Sequence, residues 1–175
     1  MMDPKPGRVV ANWVKSLPLQ PARGPEKQLP DVYINSNREF LEGLVDGLFS
    51  TDGSVDLQSN HPLVRFHTSS LELARQVRRV LLMFGIYARI NTSQRARHDI
   101  GGRVIRHDRP KHDVTISGES FGRFFEQIRL SHPAKQMRME EAALNTNFTG
   151  GNWAAKVVKV EPAGVATVYD LYEPK

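Results

Sequence analysis

Residues 39–55 read EFLEGLVDGLFSTDGSV, and the folding of this stretch decides the rest of the chain. Taken with the preceding residues, NSNREFLEGLVDGLF has the pattern of a helix. Ser36 or Asn37 can cap its amino end, Glu39 lies in the first turn, and STDGS stops it near Phe49. At about 100° per residue, Gly43, Gly47, Phe40, Leu44, Leu48, Leu41, Val45 and Phe49 sweep an arc of about 240°. Only Glu39, Glu42 and Asp46 fill the remainder. An arc this wide predicts a helix covered from two sides. Gly43 and Gly47 lie one turn apart on one edge, and each costs about 1 kcal/mol relative to alanine inside a helix. Two readings fit: close approach of a second backbone along that edge, or a central helix of a monomeric core with incidental glycines.

Working outward, SVDLQ and LVRFH alternate as strands. Val55, Leu57, Val64 and Phe66 point one way, and Ser54, Asp56, Gln58, Arg65 and His67 the other, with SNHP as the turn. SSLELARQVRRVLLMFG is a second helix, started by Ser69 or Ser70 and stopped by Gly85. IYARINT and VTIS are two more strands. The basic stretch between them, SQRARHDIGGRVIRHDRPKHD, forms a long hairpin with its tip near Gly101 and Gly102. SGESFGRFFEQIRL and HPAKQMRMEEAALN are a third and a fourth helix. WAAKVVKVEPAGVATVYDLYEP is expected as two strands turning near Pro162 to Gly164. The order is αββαββαα. Before it, residues 1–36 hold six of the 11 prolines and read as an extended, irregular arm. Three segments follow: a Pro-rich extension at 1–36, a central domain at 37–150 and a terminal hairpin at 151–175.

Composition narrows the class. Cysteine is absent, which removes disulfides and thiolate metal sites and fits a reducing compartment. No signal peptide or membrane-length apolar run is seen, so a cytoplasmic location is expected. A net charge of +5 favours a polyanionic partner. His98, His107 and His112 each precede an aspartate, but their spacing fits no compact zinc motif. GIY at 85–87 has no YIG partner.

EFLEGLVDGLFSTDGSV resembles the LAGLIDADG motif of homing endonucleases. Of two registers, Leu41 to Gly47 puts Leu48 where the motif needs an acid, whereas Val45 to Gly53 (VDGLFSTDG) places Asp52 at the helix end. The second is chosen, with Ser50 standing where many members carry a first acid. SLELARQVRRVLLMFGIYARI resembles the family's second helix and third strand. SGESFGRFFEQIRLSHPAKQ resembles the block of intein endonucleases that ends in a lysine, here Lys135, with Arg129 in place of the usual glycine. The tail VVKVEPAGVATVYDLYEP is similar to the penultimate block of an intein splicing domain, without the closing His-Asn, which suggests descent from an intein.

The resemblance implies an α+β fold, αββαββα with a curved antiparallel DNA-binding sheet, extended here by the last helix and the hairpin. It implies a mobile-element enzyme, encoded in an intron or intein, that makes a staggered double-strand break in DNA. Magnesium is the expected cofactor, with manganese tolerated, held at Asp52 and Gly53. Lys135 would polarise the scissile phosphate or orient water. One motif is half a site, so the chain would act as a homodimer on a roughly palindromic target, pairing through Phe40, Gly43, Leu44, Gly47 and Leu48. Base edges would be read by the outward set Ser54, Asp56, Gln58, Arg65, His67, Tyr87, Arg89, Asn91, Asp113 and Thr115. Arg95, Arg97, Arg103, Arg106 and Arg109, with Lys111, suit phosphates or flanking bases. Two other outcomes fit the same residues: a DNA-binding regulator that has lost cleavage, and a non-functional intein remnant.

Overall fold

Asn37 caps helix α1 (Arg38–Asp52), its side chain accepting from the Phe40 amide at 3.0 Å. Leu41, Val45 and Phe49 recur every fourth residue and are buried, so α1 lays one stripe on the core. At its carboxyl end the chain passes straight into strand β1 (Gly53–Gln58). Strand β2 (His61–Thr68), helix α2 (Leu71–Met83) and strand β3 (Arg89–Ser93) follow. The hairpin β4 (Arg97–Ile100) and β5 (Arg103–Arg106) leads to strand β6 (Lys111–Ser117), and helices α3 (Glu119–Gln127) and α4 (Pro133–Leu144) complete the order. The computed structural model describes residues 22–58, 61–94, 97–100, 103–106, 109–144, 157–162 and 164–167.

The main sheet is antiparallel, in the order β1-β2-β6-β3. Alternation puts Val55, Val64, Phe66, Val114 and Ile116 on its inner face, all buried against the helices. Phe49 of α1 sits between Phe66 of the sheet and Phe124 of α3, with ring centroids 5.7 and 5.1 Å apart. This joins helix and sheet layers directly beneath the start of β1. Leu57, expected inward, is exposed, because β1 runs past the edge of the core there.

Helix ends follow the side chains that can satisfy them. Ser70 caps α2 through the Leu73 amide at 3.1 Å. Gly85, at φ +68°, closes it: its amide and that of Ile86 donate to Leu82 and Leu81. That turn delays β3. The Ile86 and Tyr87 amides donate to Leu81 O and the Ser120 hydroxyl, so ladder pairing begins at Arg89 rather than at Ile86.

Two expectations need correction. The Pro-rich arm is not uniformly loose: it forms short 3-10 turns at Gly24–Glu26 and Asp31–Asn35, the first packs against α2, and Leu29 and Tyr33 are buried in the core. Gln76 holds Leu29 at both backbone groups, at 2.7 and 3.3 Å, and Ser70 donates to Lys27 O. The tail differs in the opposite sense. Its described residues, 157–162 and 164–167, form no strand, and Val157, Val158, Val160 and Val165 are exposed. A two-stranded hairpin is marginal without an apolar surface to cover it, and those valines cover none. Residues 1–21, 145–156 and 168–175 lie outside the described residues.

Candidate active site and nucleic-acid interface

The carboxyl end of α1 is built by three interactions. Gly53 must be glycine because of crowding: a Cβ there would sit 2.4 Å from Phe49 O and 3.0 Å from Arg65 O. Its φ of −93° imposes no such requirement. Lys135, arriving on α4, inserts its ammonium at that helix end and donates to Phe49 O, Ser50 O and Thr51 O at 3.1, 2.7 and 3.1 Å. Phe49 O also accepts the Gly53 amide, whereas Ser50 O and Thr51 O are orphan carbonyls of the last turn, and a cation there also opposes the helix dipole. An ammonium has three donors and all are used. Asp52, the next residue, is exposed and makes no hydrogen bond or ion pair among the described residues.

A second cluster fixes where Lys135 arrives. Asp46 accepts from the Ser131 amide at 2.6 Å and from the Ser50 hydroxyl at 2.7 Å, and Ser50 accepts from the His132 amide at 3.2 Å. Ser50 is buried, so the residue at the family's first-acid position is a structural tie here. Asp46, read from sequence as a plain polar position, anchors the loop that starts α4. No periodicity signals this, because the partners are 82 to 85 residues apart.

Removing the Lys135 ammonium leaves the Ser50 and Thr51 carbonyls without their donor. Lys135→Met should destabilise the fold by about 1–3 kcal/mol, read from the urea midpoint at constant slope. An unchanged midpoint would show that the helix end is satisfied without it.

The outer face of the sheet collects most of the predicted readers. Cross-strand registers place Ser54 opposite Arg65, His67 opposite Asp113, Asn91 opposite Asp113, and Arg89 opposite Thr115. They form a polar lattice. His67 lies 2.8 Å from Asp113 and 3.2 Å from the Ser54 hydroxyl, Arg65 donates to Asp56 at 2.8 Å, and Asn91 donates to Thr115 at 3.3 Å. Such cross-linking orients donors and acceptors in rows, an arrangement suited to base edges in a major groove. Lys111 stands exposed at the end of the same face of β6. Tyr87 is placed elsewhere: it precedes β3 and lines a groove with Arg75, Arg78 and Arg79 of α2. Arg97, Arg103 and Arg106 lie on the β4–β5 hairpin, whose backbone alone is described, as it is at Gln58; Arg95 lies outside the described residues.

The glycine edge of α1 is open. A Cβ added at Gly43 or Gly47 meets nothing within 4 Å. Phe40 on the same side is 53% exposed, and Leu44 and Leu48 are half-buried, partly packed on their own core. Among the described residues nothing covers that edge.

No group of three or more potential metal-ligating side chains occurs among the described residues. One chain offers the Asp52 carboxylate with the Gly53 backbone beside it. That suits magnesium, which is bound through one or two carboxylates and completes its shell with water and phosphate. Among the described residues, no helix is long and apolar enough to cross a membrane.

Stretches of known proteins are similar in sequence. The chain is 32% identical over 123 residues to a replicative DNA helicase DnaB of Rhodothermus marinus, covering 68% of this chain and 12% of the helicase. It is 30% identical over 137 residues to DnaB of Synechocystis sp., covering 75% of this chain and 15% of that protein. It is 23% identical over 154 residues to the ribonucleoside-diphosphate reductase NrdEB subunit alpha of Bacillus subtilis, covering 82% of this chain and 14% of the subunit. The chain thus spans only a small part of the length of these relatives. The model of the LAGLIDADG-like domain matches residues 35–129, which run from the cap of α1 through the sheet to the end of α3. With the motif helix, the four-stranded antiparallel sheet and the exposed carboxylate in place, the chain belongs to the LAGLIDADG family, whose members are generally DNA nucleases.

Proposed function

We propose that this protein is a site-specific homing endonuclease that makes a staggered double-strand break in a long, roughly palindromic DNA target, acting as a homodimer with magnesium. The observation that carries the reading is the pairing of two features on α1: an exposed Asp52 at its end, without a side-chain partner among the described residues, and a Gly43–Gly47 edge that no described residue covers. Two copies packed along that edge bring two such carboxylates together, one for each DNA strand. Small residues permit the close backbone approach this needs.

In this reading the polar lattice on the outer face sets the DNA register. Asp52 and the Gly53 backbone hold the cation, and Lys135 keeps the helix end, and so Asp52, in place. When bound, magnesium activates water and stabilises the leaving oxygen. The free carboxylate favours an enzyme over a regulator that has lost cleavage. Matches to one short stretch of helicases and of a reductase, enzymes of unrelated chemistry, are what an insertion shared among host genes leaves. An intein origin and work in the host cytoplasm follow from that reading.

Incubating a library of duplexes with the protein and magnesium tests it. The expected products have staggered ends placed about a rough dyad and disappear on chelation. Duplexes bound but left intact would favour the regulator, and no tight binding would favour a remnant.

A further inference from the structure

Behind the β3 edge lies a groove of about 400 Å³ between α2 and the segment entering β3, lined by Arg75, Arg78, Arg79, Leu82, Tyr87 and Ala88. Among the described residues that line it are three guanidinium groups and no carboxylate. Arg78 and Arg79 make no hydrogen bond or ion pair among the described residues, and Arg75 reaches only Glu72, at 3.8 Å with both side chains exposed. Arg75 lies three and four residues before the other two, so like charges face each other across a single turn, which is unfavourable for the helix. An anion in the groove relieves that repulsion, and guanidinium forks match phosphate oxygens. Leu82, Ala88 and the Tyr87 ring supply apolar walls that reduce competition from water.

The groove continues the proposed DNA face. β3 is an edge strand, and Tyr87 precedes by two residues the Arg89 at its start. Four strands at about 4.8 Å spacing make a ribbon roughly 14 Å across. A B-DNA major groove is about 12 Å wide and 8.5 Å deep. A sheet of this width is slightly broader than that groove, so its two edge strands come up against the phosphate walls.

Resting on the reading of the sheet as the DNA face, we propose that the Arg75–Arg78–Arg79 groove is a second, sequence-independent site that grips the phosphate backbone of the duplex along the β3 edge. It anchors the strand that the sheet itself does not touch. An acidic protein segment is the competing occupant.

Fluorescence anisotropy with a labelled random-sequence duplex, titrated over a salt series, separates the possibilities. Arg78→Ala with Arg79→Ala should weaken binding roughly tenfold at moderate salt and reduce the slope of log affinity against log salt by about 1–2, since each lost phosphate contact removes about 0.9. Arg78→Lys with Arg79→Lys should restore most of the slope, an outcome that a merely structural role of the arginines would not give. Arg65→Ala, on the outer face, is measured in parallel. If it weakens binding while the groove variant keeps wild-type affinity and slope, the phosphate site is overturned and the DNA reading of the sheet survives. If the unsubstituted protein binds no duplex, both readings fall together.

Discussion

Replacing Asp52 with asparagine is expected to lower magnesium-dependent cleavage by more than about 100-fold, beyond what loss of a residue that merely supports a metal ligand costs. Duplex affinity should stay close to that of the original protein, and the fold should be no less stable. The stability argument follows from position. Asp52 ends α1, where the helix dipole is negative, and a carboxylate there is unfavourable. It makes no bond that repays this among the described residues. Asparagine removes the charge, keeps the shape and is well tolerated beside a helix terminus. A residue held only for structure would give the reverse result, lost stability with cleavage intact. Cleavage kinetics, anisotropy on the same duplex and a thermal melt separate the two.

Substituting glutamine at both Gly43 and Gly47 should have an effect of similar size by another route. Among the described residues of one chain there is room for the new side chains to start outward, since a Cβ finds no atom within 4 Å at either position. Glutamine is a good helix former, so each change should stabilise the isolated chain by roughly 0.5–1 kcal/mol. In a dimer whose helices meet along this edge, the same side chains hold the backbones apart. The expected result is a monomer by sedimentation that is more resistant to urea at low protein concentration and makes no double-strand breaks. Higher stability with lost activity cannot be mistaken for misfolding. If the variant remains dimeric and active, the two-fold axis lies elsewhere on the molecule.

Much of this was legible in the residues because it depends on short spacings. The every-fourth-residue burial of Leu41, Val45 and Phe49, the alternation through Val64 and Phe66, the caps at Asn37 and Ser70 and the stop at Gly85 are all local patterns. The wide apolar arc of α1 predicts cover from two sides, whereas among the described residues the Gly43–Gly47 edge meets nothing. What escaped depends on tertiary geometry. Leu29 and Tyr33 are buried by turns without regular periodicity, inside a stretch whose prolines suggest only irregular chain. Lys135 was read as a group facing phosphate, yet all its donors are held by carbonyls 84 to 86 residues away. Ser50, noted as the missing acid, proved to be a buried tie to the loop before α4. The described tail residues, 157–162 and 164–167, form no strand for a complementary reason: alternating valines specify a strand only where a sheet accepts them.

Subunit mixing tests the central claim most directly. Chains carrying Asp52 are unfolded together with an excess of Asp52→Asn chains, refolded, and given supercoiled DNA bearing a selected target with magnesium. If each chain supplies one carboxylate for one strand, mixed dimers cut a single strand, and open circles accumulate in proportion to the mixed fraction. If open circles do not appear, and linear product merely falls in step with the fraction of unsubstituted chains, each chain cuts both strands by itself and the shared site does not exist.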